Sequence, residues 1–167
     1  MKQSGADPYF QLKPSPATPQ DEICSCEEDH PLLVRSALAE NPIACTKCNL
    51  EVPPERIGFE QELAQELAFW RSFHDCFWKL WLDSGEFEEW AFNELSDPQS
   101  QVNTRGMEAA ANLGKVRETY FWWFQDIGKE GYEPMRTCPV CDCELIPFSW
   151  ALACEPCKVF VANEEEL

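Results

Sequence analysis

Apolar residues recur every three or four positions between residues 58 and 83, and this spacing predicts one long amphipathic helix. The apolar positions of this stripe are Phe59, Leu63, Leu67, Trp70, Phe73, Phe77, Leu80 and Trp81. A stacking surface for nucleic-acid bases would also use aromatic residues, but helical spacing favours a buried core. Cys76, inside the same stretch, is predicted to be a small buried residue.

Two shorter helices are predicted to follow the first one. Gly85 ends the long helix, and residues 86–95 form the second helix. Pro98 suits the first turn of a third helix, predicted over residues 99–113. Gly106 lies inside this third helix although glycine lowers helix propensity, so it predicts close packing against a neighbouring element.

The run of apolar and aromatic residues at 119–124 predicts a short strand that is buried on both faces. We expect it to lie between the helices and the C-terminal segment. Apolar residues at 145–152 and 158–161 predict the strands of that segment, with Pro147 at a bend.

Two Cys-x-x-Cys motifs dominate the C-terminal segment. Cys138 and Cys141 form the first, and Cys154 and Cys157 form the second, twelve residues later. This spacing is typical of a zinc ribbon, in which each motif is a tight turn and four thiolates surround one structural Zn²⁺. Cys143, two residues past the first motif, is expected to remain a partly shielded free thiol.

A second zinc site is predicted near the N-terminus, where Cys45 and Cys48 form a third Cys-x-x-Cys motif. Cys24 and Cys26 are the nearest cysteines that complete a tetrahedron, because side chains two apart in extended backbone share a face. His30 is the alternative to one of them. Two other arrangements remain open: unligated Cys24 and Cys26, or Cys45 and Cys48 combined with the C-terminal motifs.

These elements predict an α+β protein, in which a small helical core and an aromatic strand lead into a C-terminal zinc ribbon. The second zinc site packs on the same core. The predicted boundaries are a disordered Pro-rich arm at 1–21, a Cys-rich zinc segment at 22–57, the helical core with the aromatic strand at 58–128, the ribbon at 129–163 and an acidic tail at 164–167.

Charge narrows the choice of partners. The formal charge is -17, from 30 acidic and 13 basic residues, and each tetrathiolate zinc site would make it more negative. A field of this sign repels a phosphate backbone and attracts a basic protein. The ten cysteines, together with the absence of a signal-peptide pattern or an apolar membrane span, predict a cytoplasmic protein whose thiols bind metal.

The order of these motifs resembles a bacterial family of zinc-ribbon proteins of unknown function that is described as nucleic-acid-binding. The resemblance spans about residues 42–163. It rests on residues 42–48, Trp70, residues 75–81, Gly106, residues 120–123, the motifs at 138–141 and 154–158, and Asn163. The chain departs from that pattern at Asp142, where the family commonly has glycine. A looser resemblance is to bacterial double-Cys-x-x-Cys proteins, some of which are immunity proteins.

Two functions follow from these features, and neither is enzymatic. The chain has two histidines, no phosphate-binding loop and no catalytic triad, so we predict no catalytic residues. The resemblance implies a ribbon that binds nucleic acid, although only three basic residues and eight acidic ones lie in 129–167. The alternative is an acidic interaction module, such as an inhibitor or immunity protein, that binds a basic protein.

Overall fold

The computed structural model describes residues 17–36 and 39–163 of the chain. Three helices pack against one six-stranded sheet, which confirms the predicted α+β class. The helices are α1 (Gln61–Asp83), α2 (Glu88–Ser96) and α3 (Gln101–Gly114). The strands are β1 (Leu32–Val34), β2 (Ile43–Cys45), β3 (Thr119–Trp122), β4 (Ile146–Phe148), β5 (Ala151–Cys154) and β6 (Val159–Ala162).

The two ends of the chain lie largely outside these residues. Most of the predicted Pro-rich arm, at residues 1–16, and the predicted acidic tail, at 164–167, are not described. Within the described part, none of the helices has the length and apolar character needed to cross a membrane.

Helix α1 uses its aromatic stripe as the core face that the periodicity predicts. Leu67, Trp70 and Phe77 are buried against the rest of the protein. The prediction for Cys76 is wrong, because its side chain is exposed. It lies nine positions after Leu67, and at 3.6 residues per turn this places it on the opposite side of the helix.

Gly106 marks the closest approach between α3 and its neighbours. A Cβ atom at this position would lie 2.3 Å from a ring carbon of Phe121 and 2.6 Å from the indole nitrogen of Trp70. The same indole nitrogen donates a hydrogen bond to the carbonyl of Val102, at 3.1 Å. The close packing predicted from Gly106 is therefore confirmed, and it brings α3 against both α1 and β3.

The sheet has the strand order β2-β1-β3-β6-β5-β4. Strand β3 is parallel to both β1 and β6, and the other neighbouring strands are antiparallel. Its central place explains why the aromatic strand is buried on both faces. One continuous sheet thus joins the Cys-rich N-terminal segment, through β1 and β2, to the C-terminal segment, through β4 to β6.

The face of the sheet away from the helices is covered by aromatic side chains. The rings of Phe148 and Trp150 lie 5.4 and 5.5 Å from the ring of Phe160. Trp150 also donates a hydrogen bond from its indole nitrogen to the carbonyl of Thr46, at 2.9 Å. Since Thr46 directly follows β2 and Trp150 lies between β4 and β5, this bond links the two ends of the sheet. Pro147, predicted at a bend, instead lies within β4.

Candidate metal centres

Four cysteines of the N-terminal segment converge on one point. Their sulfur atoms all lie within 4.8 Å of one another. The members of this first cluster are Cys24, Cys26, Cys45 and Cys48. A tetrahedral site with metal–sulfur bonds of about 2.3 Å places its sulfurs about 3.8 Å apart, so the cluster has the dimensions to hold a metal ion. His30, the alternative ligand, is not a member of the cluster.

The Cys-x-x-Cys turn of the first cluster is shaped by its own backbone. Cys45 ends strand β2, and the amide of Lys47 donates to its sulfur at 3.4 Å. The amide of Asn49 then donates to the carbonyl of Cys45, at 2.9 Å. Asn49 has a φ of 59°, a left-handed conformation that asparagine tolerates better than most residues. This turn returns the chain so that both sulfurs face the same side.

The Cys24–Cys26 segment is held in place by two residues that the sequence analysis did not identify. Glu51 is buried, its backbone carbonyl accepts from the amide of Cys24 at 2.7 Å, and its carboxylate accepts from the side chain of Asn41, also at 2.7 Å. Arg56 donates from its guanidinium to the carbonyls of both Cys24 and Cys26. These contacts are tertiary, so no local sequence signal marks them.

The four cysteines of the ribbon form a second cluster of the same size. It consists of Cys138, Cys141, Cys154 and Cys157, whose sulfurs also lie within 4.8 Å of one another. The sulfurs of Cys141 and Cys154 are 3.6 Å apart, well beyond a disulfide bond of about 2.05 Å. Cys143 is a free, exposed thiol outside the cluster, less shielded than predicted.

All three Cys-x-x-Cys turns share one backbone feature. The residue directly after the second cysteine has a left-handed conformation: φ is 59° at Asn49, 58° at Asp142 and 52° at Lys158. In the ribbon, the amide of Val140 also donates to the sulfur of Cys138, at 3.5 Å. Glycine adopts positive φ without steric cost, so each of these three positions would accept it.

A network of charged groups attaches the last Cys-x-x-Cys turn to β3. The ammonium group of Lys158 lies 2.5 Å from a carboxylate oxygen of Glu118 and 2.7 Å from one of Glu155. The hydroxyl of Tyr120 donates to the other oxygen of Glu155, at 2.5 Å. Partial burial works in the opposite direction, but these hydrogen bonds raise the pKa of Lys158, so it stays charged at neutral pH.

The thiols of the clusters differ in acidity before a metal binds. Burial raises the pKa of Cys48 to about 12 and that of Cys154 to about 11. The backbone amide of Cys143 donates to Cys141, and this hydrogen bond lowers the pKa of Cys141 to about 6. Metal binding must therefore displace protons from thiols such as those of Cys48 and Cys154, whereas the lowered pKa of Cys141 lets it lose its proton more readily.

Comparison with known proteins does not add to this description. Neither the protein-family models, nor the curated proteins, nor the solved structures give a match to the chain. The resemblance drawn from the cysteine motifs and the aromatic strand therefore stays a prediction. What the geometry establishes is two clusters of four cysteines on one α+β fold, each able to hold a metal ion.

Proposed function

We propose that both clusters hold structural zinc and that the protein is a metal-stabilised scaffold for binding another protein, not an enzyme. The observation that carries the structural role is the composition of the clusters. Each supplies four sulfur ligands, which fill a tetrahedral zinc site and leave no position for a substrate or a reactive water. One sheet connects the two clusters, through Cys45 in β2 and Cys154 in β5, so zinc would stabilise the whole fold.

Metal analysis tests the zinc assignment. The purified chain should contain two equivalents of zinc, and Cys154→Ser should reduce this to about one, because removing one of four ligands typically weakens a structural site severely. Cys76→Ser is the matched control, since Cys76 is exposed on α1 and outside both clusters. Two equivalents of zinc in Cys154→Ser would contradict the assignment.

The choice of a protein partner is supported by the state of the basic side chains near the ribbon. Lys158 is held by Glu118 and Glu155, and the ammonium group of Lys129 lies 5.4 Å from the ring centre of Phe92. Arg136 is exposed. With a formal charge of -17, such a surface repels the phosphates of nucleic acid and suits a partner rich in lysine and arginine.

Binding measurements separate the two candidate partners. Fluorescence anisotropy of labelled single-stranded RNA, single-stranded DNA and a lysine-rich amphipathic peptide would be followed against the zinc-loaded protein over a salt series. We expect the peptide to bind with an affinity that falls as salt rises, and the oligonucleotides not to bind even at low salt. Salt-dependent binding of an oligonucleotide without binding of the peptide would overturn the proposal in favour of a nucleic-acid-binding ribbon.

A further inference from the structure

The end of the α1–α2 hairpin exposes four large apolar side chains. Trp78 is 39% exposed, Leu82 62%, Phe87 51% and Trp90 49%. Trp78 and Leu82 are one turn apart on α1, and Phe87 and Trp90 are about one turn apart at the start of α2. We call these four residues, with the connection between them, the aromatic tip. The four lie in one helix–connection–helix segment, and exposure of several large apolar side chains in one segment is typical of interaction sites.

The backbone of the tip is ordered by its own hydrogen bonds. The amide of Gly85, which has a φ of 70°, donates to the carboxylate of Glu88 at 3.0 Å. The amide of Phe87 donates to the hydroxyl of Ser84, also at 3.0 Å. The ring of Trp90 lies 5.2 Å from the ring of Phe77, which is part of the core. The exposed rings are thus held on a fixed frame, which lowers the entropy lost on binding.

The aromatic tip is also acidic. Residues 82–90 contain four acidic residues and no basic one. The four are Asp83, Glu86, Glu88 and Glu89, all exposed. Within the described residues, none of them forms a salt bridge with a basic side chain. The connection between the two helices therefore carries a local negative charge beside the exposed apolar side chains.

The exposed apolar side chains and the carboxylates of the tip together indicate which kind of molecule would bind there. A second copy of the chain would bring the same negative charges together, and like charges across an interface disfavour association. Anionic lipid and nucleic acid are repelled for the same reason. A segment that presents apolar side chains on one face and lysine or arginine around them satisfies both the rings and the carboxylates.

We propose that the aromatic tip is the docking surface for a basic, amphipathic segment of a partner protein. The inference rests on the proposed function, because it assigns a location and a chemistry to the protein partner. Phe87 and Trp90 insert between apolar side chains of the segment, and the carboxylates of residues 83–89 contact its basic side chains. The tip lies on the helices, so docking leaves both metal clusters undisturbed.

Peptide binding to variants of the full zinc-loaded chain tests the location. The probe is a labelled 20-residue helical peptide with leucine on one face and lysine on the other, and a peptide with glutamate in place of lysine serves as its control. The triple variant Glu86→Gln, Glu88→Gln, Glu89→Gln should weaken binding at least tenfold. The triple variant Glu130→Gln, Glu133→Gln, Glu144→Gln removes the same charge from exposed positions elsewhere and should change affinity less than twofold.

A second pair of variants tests the rings. Trp90→Ser should weaken binding at least tenfold, whereas Val116→Ser, at a residue with the same exposed fraction of 49%, should leave it unchanged. Unfolding curves would verify that each variant is folded. Equal losses of peptide affinity in the two triple variants would overturn the assignment of the tip as the docking surface. They would still support a basic protein as the partner. Absence of peptide binding to the unmodified chain would overturn both proposals. If the unmodified protein forms a dimer and Trp90→Ser does not, the tip is the contact surface for a second copy of the chain.

Discussion

At the scale of single residues, the spacing along the chain indicates most of the cysteines in the two clusters, but not the residues that position them. Six of the eight cysteines that the structure brings together belong to Cys-x-x-Cys motifs, and such a turn is a local structure with a local signal. Cys24 and Cys26 lie outside these motifs, and the spacing left their role open. Glu51 and Arg56 act through contacts with distant parts of the chain. A buried carboxylate and an arginine bound to carbonyls look like ordinary surface residues until the fold is known.

Asp142 gives a direct test of the left-handed turn. Asp142→Val should lower the free energy of unfolding by about 1–2 kcal/mol, because a β-branched side chain is strained at a φ of 58°. Asp142→Gly should leave the free energy unchanged or raise it slightly, since glycine adopts this φ freely. Urea unfolding of the zinc-loaded proteins measures both. Equal destabilisation by valine and glycine would show that the carboxylate, and not the backbone, matters there.

At the scale of elements, long periodic segments were predicted well and very short strands were not. Helix α1 carries its signal over six turns, and its observed start at Gln61 differs from the prediction by three residues. Strands β1 and β2 have three residues each, too few for a pattern. Strand β1 also depends on pairing with β3, which comes from a remote part of the sequence.

Gly106 and Gly114 form a matched pair within α3. Gly106→Ala should lower the free energy of unfolding by about 2 kcal/mol or more, because the added methyl group overlaps the ring of Phe121 and overpacking outweighs the gain in helix propensity. Gly114→Ala meets no atom within 4 Å and should be neutral or stabilising by up to about 1 kcal/mol. Denaturant unfolding measures both changes. A stabilised Gly106→Ala protein would contradict the packing described here.

The pKa of His74 indicates how the stability of the folded protein changes with pH. Burial lowers its pKa from 6.5 to about 4, and its ring lies 5.4 Å from that of Trp70. The folded state keeps His74 neutral while the unfolded state binds a proton below about pH 6.5, so stability is lost as the pH falls from 6.5 towards 4. His74→Phe removes this titration.

Unfolding at pH 7.0 and 5.5 measures the effect of His74. When the pH falls from 7.0 to 5.5, the free energy of unfolding of the unmodified protein should drop by about 1 kcal/mol more than that of His74→Phe. The comparison subtracts the loss that both proteins share through protonation of their cysteines. Identical losses in the two proteins would mean that His74 takes up its proton equally well in the folded state.

At the scale of the whole molecule, the sequence predicted two metal sites and a helical core but not the single sheet that joins them. Pairing between β1, β3 and β6 connects three segments that look separate along the chain. The hydrogen bond from Trp150 to Thr46 adds a direct contact between the ribbon and the first cluster's Cys-x-x-Cys turn. These are long-range pairings, and neither composition nor spacing specifies their partners.

Removing the metal should therefore affect more than the ribbon. With a strong zinc chelator, we expect hydrogen exchange to accelerate at least tenfold in β5 and β6 and also in β3, which pairs with β6. Adding zinc back should restore protection. Unchanged exchange in all three strands after verified zinc loss would show that the clusters do not stabilise the fold.

The two edges of the sheet also have a consequence for solubility. An open strand edge is a template for pairing with other chains, and a sheet this rich in aromatic residues would aggregate readily through one. Here the outer side of β2 is occupied by residues 50–52, through the hydrogen bonds of Cys45 to Leu50 and of Val52 to Ile43. At the other end, β4 is three residues long and contains Pro147, which cannot donate to a further strand. The fold thus closes both routes by which its sheet could grow into a fibril.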